Sequence, residues 1–171
     1  MAMTTSKGPR AGRSAVVTLP SDTQILITRE FDAPAHLIFK AWTTPELIKR
    51  WWSAKRGAVT IADVDLRVGG KWRWVMTTDN GTEVAFRGWY REIVPNRRLV
   101  YTEMYEAVQQ SEDDEGTLNT MQLIENDGRT LVTTLTECYT QEVRDMILES
   151  GMEAGMQDAM DLLEQVAISL K

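Results

Sequence analysis

Cysteine and histidine are almost missing from this chain, and that shortage removes most side-chain catalysis at the outset. One cysteine, Cys138, and one histidine, His36, occur in 171 residues. A single cysteine forbids an intramolecular disulfide and fits a reducing compartment, so a cytoplasmic location is expected. Metal sites built from clustered His and Cys lack ligands here, and nucleophile–base pairs of the Ser-His or Cys-His kind lack a placed histidine. His36 reads as a surface residue, and Cys138, near a strand end, has no recognisable activator. No cofactor or metal is expected. Apolar runs approaching the roughly 18–20 residues that cross a bilayer are missing too, so stable membrane insertion is not expected. Basic character is also short: the net charge is −6, with no basic run to neutralise phosphates, which excludes nucleic acid as a partner.

What remains is an ordinary globular balance, 43% apolar and 26% charged, in a length that suits one domain able to bury a core without staples. Residues 1–21 carry Lys7, Arg10 and Arg13 among Ser, Thr and Gly but no apolar segment of a secretory signal. They read as a disordered tail before a single domain over 22–171. Thr23 to Phe31 alternates and is β-branched, predicting a first strand. Asp32 is placed to cap a helix whose first turn holds Pro34 and whose apolar positions are Leu37, Ile38, Ala41 and Trp42. A second short helix starts at Pro45 and runs through Leu47 and Ile48 to the pair Trp51-Trp52.

From Ala58 to Cys138 short strands alternate with turn signals. Candidates are Val59–Val64, Lys71–Met76, Glu83–Val94, Leu99–Tyr105, Thr117–Glu125 and Thr130–Tyr139, separated by Gly69-Gly70, Asp79-Asn80-Gly81, Pro95-Asn96, the acidic loop Glu112–Glu115 and Asn126-Asp127-Gly128. Turns this short predict an antiparallel meander. Gln141 to Leu170 reads as one long helix with a stripe of Met152, Met156, Ala159, Leu163, Val166 and Leu170. Gly151 and Gly155 fall on one face of it, leaving room for another backbone or a ligand. The fold class is α+β: a curved antiparallel sheet wrapped around a long C-terminal helix, with two short helices after the first strand.

The segments ITREFDAPAHLIFKAWTTPELIKRWW, DLRVGGKWRWVM, FRGWYREIVPNRRLVYTE and SGMEAGMQDAMDLLEQVA, in that order, resemble the activator of heat-shock-protein-90 ATPase homologue-like branch of the START-like (SRPBCC) superfamily over residues 23–170. The resemblance implies a helix-grip fold with a cavity between the sheet and the C-terminal helix. Relatives hold lipids, sterols, polyketides, hormones or aromatic molecules there, and a minority catalyse cyclisation or hydrolysis. The eukaryotic co-chaperones that give the family its name carry a separate N-terminal chaperone-binding domain; about 22 residues precede the first strand here, so a chaperone partner is not expected. A homodimer is compatible with the sequence.

Strand alternation places Trp72, Trp74 and Met76 on one face. Phe86 and Tyr90 join them from the next strand, Tyr101 and Glu103 from the one after, Met121 and Leu123 from the next, and Leu131, Thr133 and Leu135 from the last. Either these fill a core, or they line a cavity for a small apolar or aromatic molecule. Met152 and Met156 of the helix, and Trp51 and Trp52 as lid or anchor, complete the candidate lining. Under the resemblance, Met156 stands where relatives often carry Trp. Glu103 and Glu137 lie within apolar strands, where Arg73 and Arg87 could pair with them unless, as is usual for strand-end charges, they reach solvent. A carboxyl held in an apolar cavity can serve as acid or base. The leading expectation is therefore a ligand-binding protein without an assigned reaction. The alternatives are a polyketide cyclase or aromatase acting in the same cavity, and a stress-response interaction protein.

Overall fold

In the computed structural model, residues 14–171 are described. Eight strands form one sheet: β1 (Val16–Thr18), β2 (Gln24–Phe31), β3 (Gly57–Val64), β4 (Lys71–Thr78), β5 (Glu83–Val94), β6 (Arg98–Tyr105), β7 (Thr117–Asn126) and β8 (Arg129–Glu137). Their order is β1-β2-β8-β7-β6-β5-β4-β3, antiparallel throughout. Strands β3 to β8 are the expected meander. The helices α1 (Ala35–Thr43) and α2 (Pro45–Ile48) carry the chain from β2 to the far edge of the sheet at β3. Register shifts at Val59/Ile61 in β3 and at Tyr90/Glu92 in β5 mark bulges, which bend the sheet and deepen its concave face.

Alternation decides the inner face. In β2, Ile25, Ile27, Arg29 and Phe31 are buried while the residues between them are half-buried. The hairpin between β7 and β8 turns on Asp127 and Gly128, both with positive φ, the conformation a two-residue turn of this hand requires.

The C-terminal segment departs from the expected single helix. It is two helices, α3 (Gln141–Glu149) and α4 (Met152–Ser169), broken at Gly151, whose φ is +78°. A left-handed residue ends a helix, and glycine adopts it without steric cost. Gly151 is thus a hinge point between helices, not a notch within one. The second half of α4 buries Met160, Leu163, Val166 and Ala167 against α1 and the sheet.

Two further differences concern the chain's start. Residues 1–13 of the expected tail lie outside the described residues, but Val16–Thr18 pairs with β2, and Ala15 is held by Gln157 of α4 through bonds of 3.0 and 2.7 Å. Asp32 does not cap α1: Pro34 holds the cap position without a side-chain bond, and the Ala35 N–H donates to Glu125 of β7 at 2.6 Å.

One buried ion cluster had no sequence signal. Arg29 of β2 is fully buried, donates to Asp161 at 2.8 Å, lies 3.6 Å from Glu164 and sits over the Phe31 ring. Glu164 in turn accepts the Asp32 N–H at 3.0 Å, so β2, the entry to α1 and α4 are tied at one point.

Candidate functional site

Between the concave face and the helices α3 and α4 lies a cavity of about 690 Å³. Its roof is Val143, Met146 and Ile147 of α3 with Met152, Gly155, Met156 and Ala159 of α4. Its floor comes from inward positions of β2 and β4 to β8.

One wall is a continuous tryptophan cluster. Trp74 on β4 is its hub, with ring centroids 5.1 Å from Trp72, 5.8 Å from Trp51, 5.6 Å from Trp52 and 6.4 Å from Trp42. Trp52 meets Phe86 edge-on at 5.9 Å, and Phe86 stacks on Tyr105 at 5.0 Å. Trp51 is the anchor rather than a lid: it is buried, and its indole N–H donates to the Ala41 carbonyl of α1 at 2.9 Å. Trp72 can lie flat across β5 because its register partner there is Gly88. A Cβ on Gly88 would fall 1.8 Å from the Thr102 oxygen and 2.8 Å from Trp72 Nε1.

The other end is polar. Glu103 of β6 faces Thr117 of β7 in register, and Asn119 bridges Thr117 and Thr136 at 3.2 and 2.7 Å. The Glu103 carboxyl has no hydrogen-bond or ion-pair partner among the described residues. The surface it retains is cavity wall, and burial pushes it up to about 7. Burial likewise raises the phenols of Tyr101 and Tyr90, with Glu103 adding to Tyr101 and Asp65 to Tyr90. Arg56 is the second charged residue in the lining. It is exposed at the mouth, and its guanidinium lies 3.2 Å from where a Cβ on Gly155 would stand. Ala54 and Lys55, just before it, both have positive φ, a strained turn that places Arg56 against α4.

Of the sequence-predicted lining, Trp51, Trp52, Trp72, Trp74, Met76, Phe86, Tyr90, Tyr101, Glu103, Met152 and Met156 all reach this cavity. Five do not. Met121 is fully buried in the core beneath it, and Leu123 is buried with its edge on a different concavity. Leu131, Thr133 and Leu135 face outward, because β8 has the opposite phase: Thr134 and Thr136 point in. The register explains this, since Thr136 pairs with inward Ile25 and Thr134 with inward Ile27, whereas Leu135 pairs with Leu26. Trp42, Arg56, Asn119, Thr134 and Thr136 line the cavity without having been singled out. For Asn119 the signal was present, two positions before Met121 on the same face of β7.

Arg73, one possible partner for a cavity carboxylate, is instead bonded to Glu106. Both Glu106 oxygens accept, at 2.7 and 3.0 Å, which holds Arg73 above and Glu106 below their ordinary ranges. Glu137 shares the outward phase of β8. Burial pushes the Cys138 thiol up, which disfavours the nucleophilic thiolate. A second concavity, about 720 Å³, lies by His36, Asn96, Arg97 and Glu125. It is an open groove whose apolar members Val94 and Ile124 are exposed, and its Glu125 is committed to the α1 N-terminus. Chemistry is better housed in the less open, aromatic cavity. Among the described residues no group of three His, Cys, Asp or Glu side chains is placed to hold a metal, and no helix is long and apolar enough to cross a membrane.

Comparison with known proteins gives the arrangement its context. A search of curated proteins by sequence gives no match. Solved structures match along almost the whole chain. A Rhodobacter sphaeroides protein is 27% identical with a TM-score of 0.81, covering 92% of this chain and 99% of its own. An Arthrobacter aurescens protein is 25% identical with a TM-score of 0.76, covering 90% and 91%. An AHSA1-like protein from Aeromonas hydrophila, 22% identical with a TM-score of 0.65 over 85% and 93%, shares the fold. The family described as Activator of Hsp90 ATPase homolog 1-like protein matches residues 32–167. The sheet, the gripping helices and that match agree: the chain belongs to the Activator of Hsp90 ATPase homolog 1-like family, within the START-like superfamily.

Proposed function

We propose that this protein binds a small apolar or amphipathic molecule, with an aromatic portion, in the cavity between its sheet and the helices α3 and α4. The observation that carries the reading is the composition of that cavity. A volume of about 690 Å³ falls within the roughly 300–1,000 Å³ of small-molecule sites. Its lining combines aromatic faces, flexible methionines and a few polar groups, with Glu103, Thr117, Asn119 and Thr136 gathered together. Aromatic surface rewards burial of a ligand ring, methionine adapts to its outline, and the polar groups fix its direction. Membership of a ligand-binding type of fold supports the same reading.

Five of the six tryptophans line the cavity, so intrinsic fluorescence reads its occupancy directly. A panel of aromatic amines, alcohols, acids and fatty acids should include compounds that quench this fluorescence saturably and raise the melting temperature. If no class does either, the binding reading fails.

A catalytic reading, a cyclase or aromatase using Glu103 as acid or base, has the raised carboxyl in its favour. It predicts turnover that Glu103→Gln removes while ligand binding persists. With no histidine and no thiol among the described residues of the lining to share the proton work, binding is the better-supported function. Association with a heat-shock ATPase is a separate matter for a direct binding assay.

A further inference from the structure

Among the described residues that line the cavity, only Glu103 and Arg56 carry a formal charge. They are placed very differently. Arg56 is exposed at the mouth, where water and salt screen it within about 8–10 Å. Glu103 lies inside, between Tyr101 and Tyr105 on its own strand, with Thr117 beside it on β7 and Trp72 crossing Gly88 from β4. Among the described residues, neighbouring elements bring no cation to it: β5 contributes Tyr90, β7 and β8 contribute Thr117, Asn119, Thr134 and Thr136, and α3 and α4 contribute no charged side chain to the lining. Arg73, Arg87 and Arg91 point to the other side of the sheet; Arg73 and Arg91 are paired there with Glu106 and Glu115.

A carboxyl inside an apolar cavity, with no donor to satisfy it, is costly to the empty protein. Such a group is retained cheaply only if something else supplies the donor. Aromatic faces around it have electron-rich π surfaces that attract cations. The low local dielectric makes its field dominate that of the screened arginine at the rim.

We propose that the preferred ligand class is a primary or secondary organic amine with an aromatic or apolar body, its ammonium group bound by Glu103 and its body lying along the Trp72–Trp74 wall. This deepens the ligand-binding reading above and rests on it. Burial of Glu103 adds a pH signature. Its carboxyl titrates near 7 in the empty cavity, and an ammonium beside it favours the charged form. Amine binding at neutral pH therefore releases a proton to solvent, and affinity rises as pH increases through that range.

The experiment compares phenylbutylamine, phenylbutanol and phenylbutyrate by tryptophan fluorescence and calorimetric titration between pH 5.5 and 8. Wild type should bind the amine at least 10-fold tighter than the alcohol at pH 8. Its amine affinity should rise roughly 10- to 30-fold across the range, following ionisation of the carboxyl, and proton release should appear as a buffer-dependent heat. Glu103→Gln, which keeps shape and removes charge, should lose at least 10-fold for the amine, flatten its pH profile and change alcohol binding less than about 3-fold. If the alcohol or the acid binds as tightly as the amine, or Glu103→Gln leaves amine binding unchanged, the amine inference is overturned while the cavity reading stands. If none of the three binds, the amine inference is overturned, and the wider panel decides the cavity reading.

Discussion

The indole N–H of Trp72 donates to the backbone carbonyl of Thr102 at 3.1 Å, reaching from β4 to β6 across the strand between them. The reach exists because Gly88 offers no side chain beneath the ring. Gly88→Ala should displace that ring, break the bond and overpack the wall. A loss of about 1–3 kcal/mol in chemical denaturation is expected, together with an altered near-ultraviolet circular dichroism spectrum from the tryptophans.

The two glycines of the C-terminal segment should respond in opposite directions. Gly151 has φ +78°, so Gly151→Ala places a Cβ in the left-handed region and should cost roughly 1–2 kcal/mol. Gly155 lies within α4, and its added Cβ would meet only the flexible end of Arg56. Gly155→Ala should stabilise by about 0.5–1 kcal/mol through helix propensity. Urea titrations of the two variants separate the cases.

Removing Arg29 tests the ion cluster beneath the cavity. Arg29→Met leaves the buried Glu164 without the guanidinium beside it. The expected loss is about 3 kcal/mol or more, since breaking a buried pair strands the remaining charge. Replacing the exposed Arg67, whose partner Asp65 is also exposed, should change stability by less than about 1 kcal/mol.

Glu103 gives the empty protein a pH dependence of defined sign. Its folded carboxyl is pushed up by burial to about 7 from an ordinary 4.5, so the folded state holds the proton more tightly than the unfolded chain. This group is neutral to stability below about pH 4.5, and its penalty grows as pH rises to about 7. Above that, the full cost is on the order of 3 kcal/mol. Glu103→Gln should match wild type near pH 4 and exceed it in stability near pH 8, by denaturation at both values.

How far the sequence foretold the site depended on how each face is marked. Trp72, Trp74 and Met76 alternate with charged or smaller neighbours, and Asn80-Gly81 pins their hairpin, so the inner face of β4 and β5 could be read directly. The last strand could not. In the run Thr130 to Thr136 both faces mix apolar residues with threonines, and the leucines that looked inward, Leu131 and Leu135, lie outside. Only pairing with Ile25 and Ile27 of β2, a contact more than a hundred residues away in sequence, sets that phase. The break at Gly151 was hidden for a different reason: a glycine between apolar residues of helical spacing fits a notch and a left-handed stop equally well. Strand β1 is three residues long, too short to show a period, and is held by pairing and by Gln157. Arg29 followed the alternation of β2 faithfully, but its burial depends on Asp161 and Glu164 arriving from the far end of the chain.

Occupancy of the cavity is the central claim, and filling it with a side chain tests that claim most directly. Met156 lines the cavity from α4 and is only half-buried, so Met156→Trp should extend an indole into the empty volume without dismantling the core. Tryptophan is also a tolerable helix residue at that position. The measurement is calorimetric titration of wild type and Met156→Trp with the tightest-binding aromatic compound of the panel, alongside thermal melts of both. The account predicts one saturable site in the wild type, at least a 10-fold weaker affinity in the variant, and melting temperatures within a few degrees of each other. Equal binding by a folded Met156→Trp protein would contradict it, because the ligand would then be held somewhere other than between this sheet and these helices.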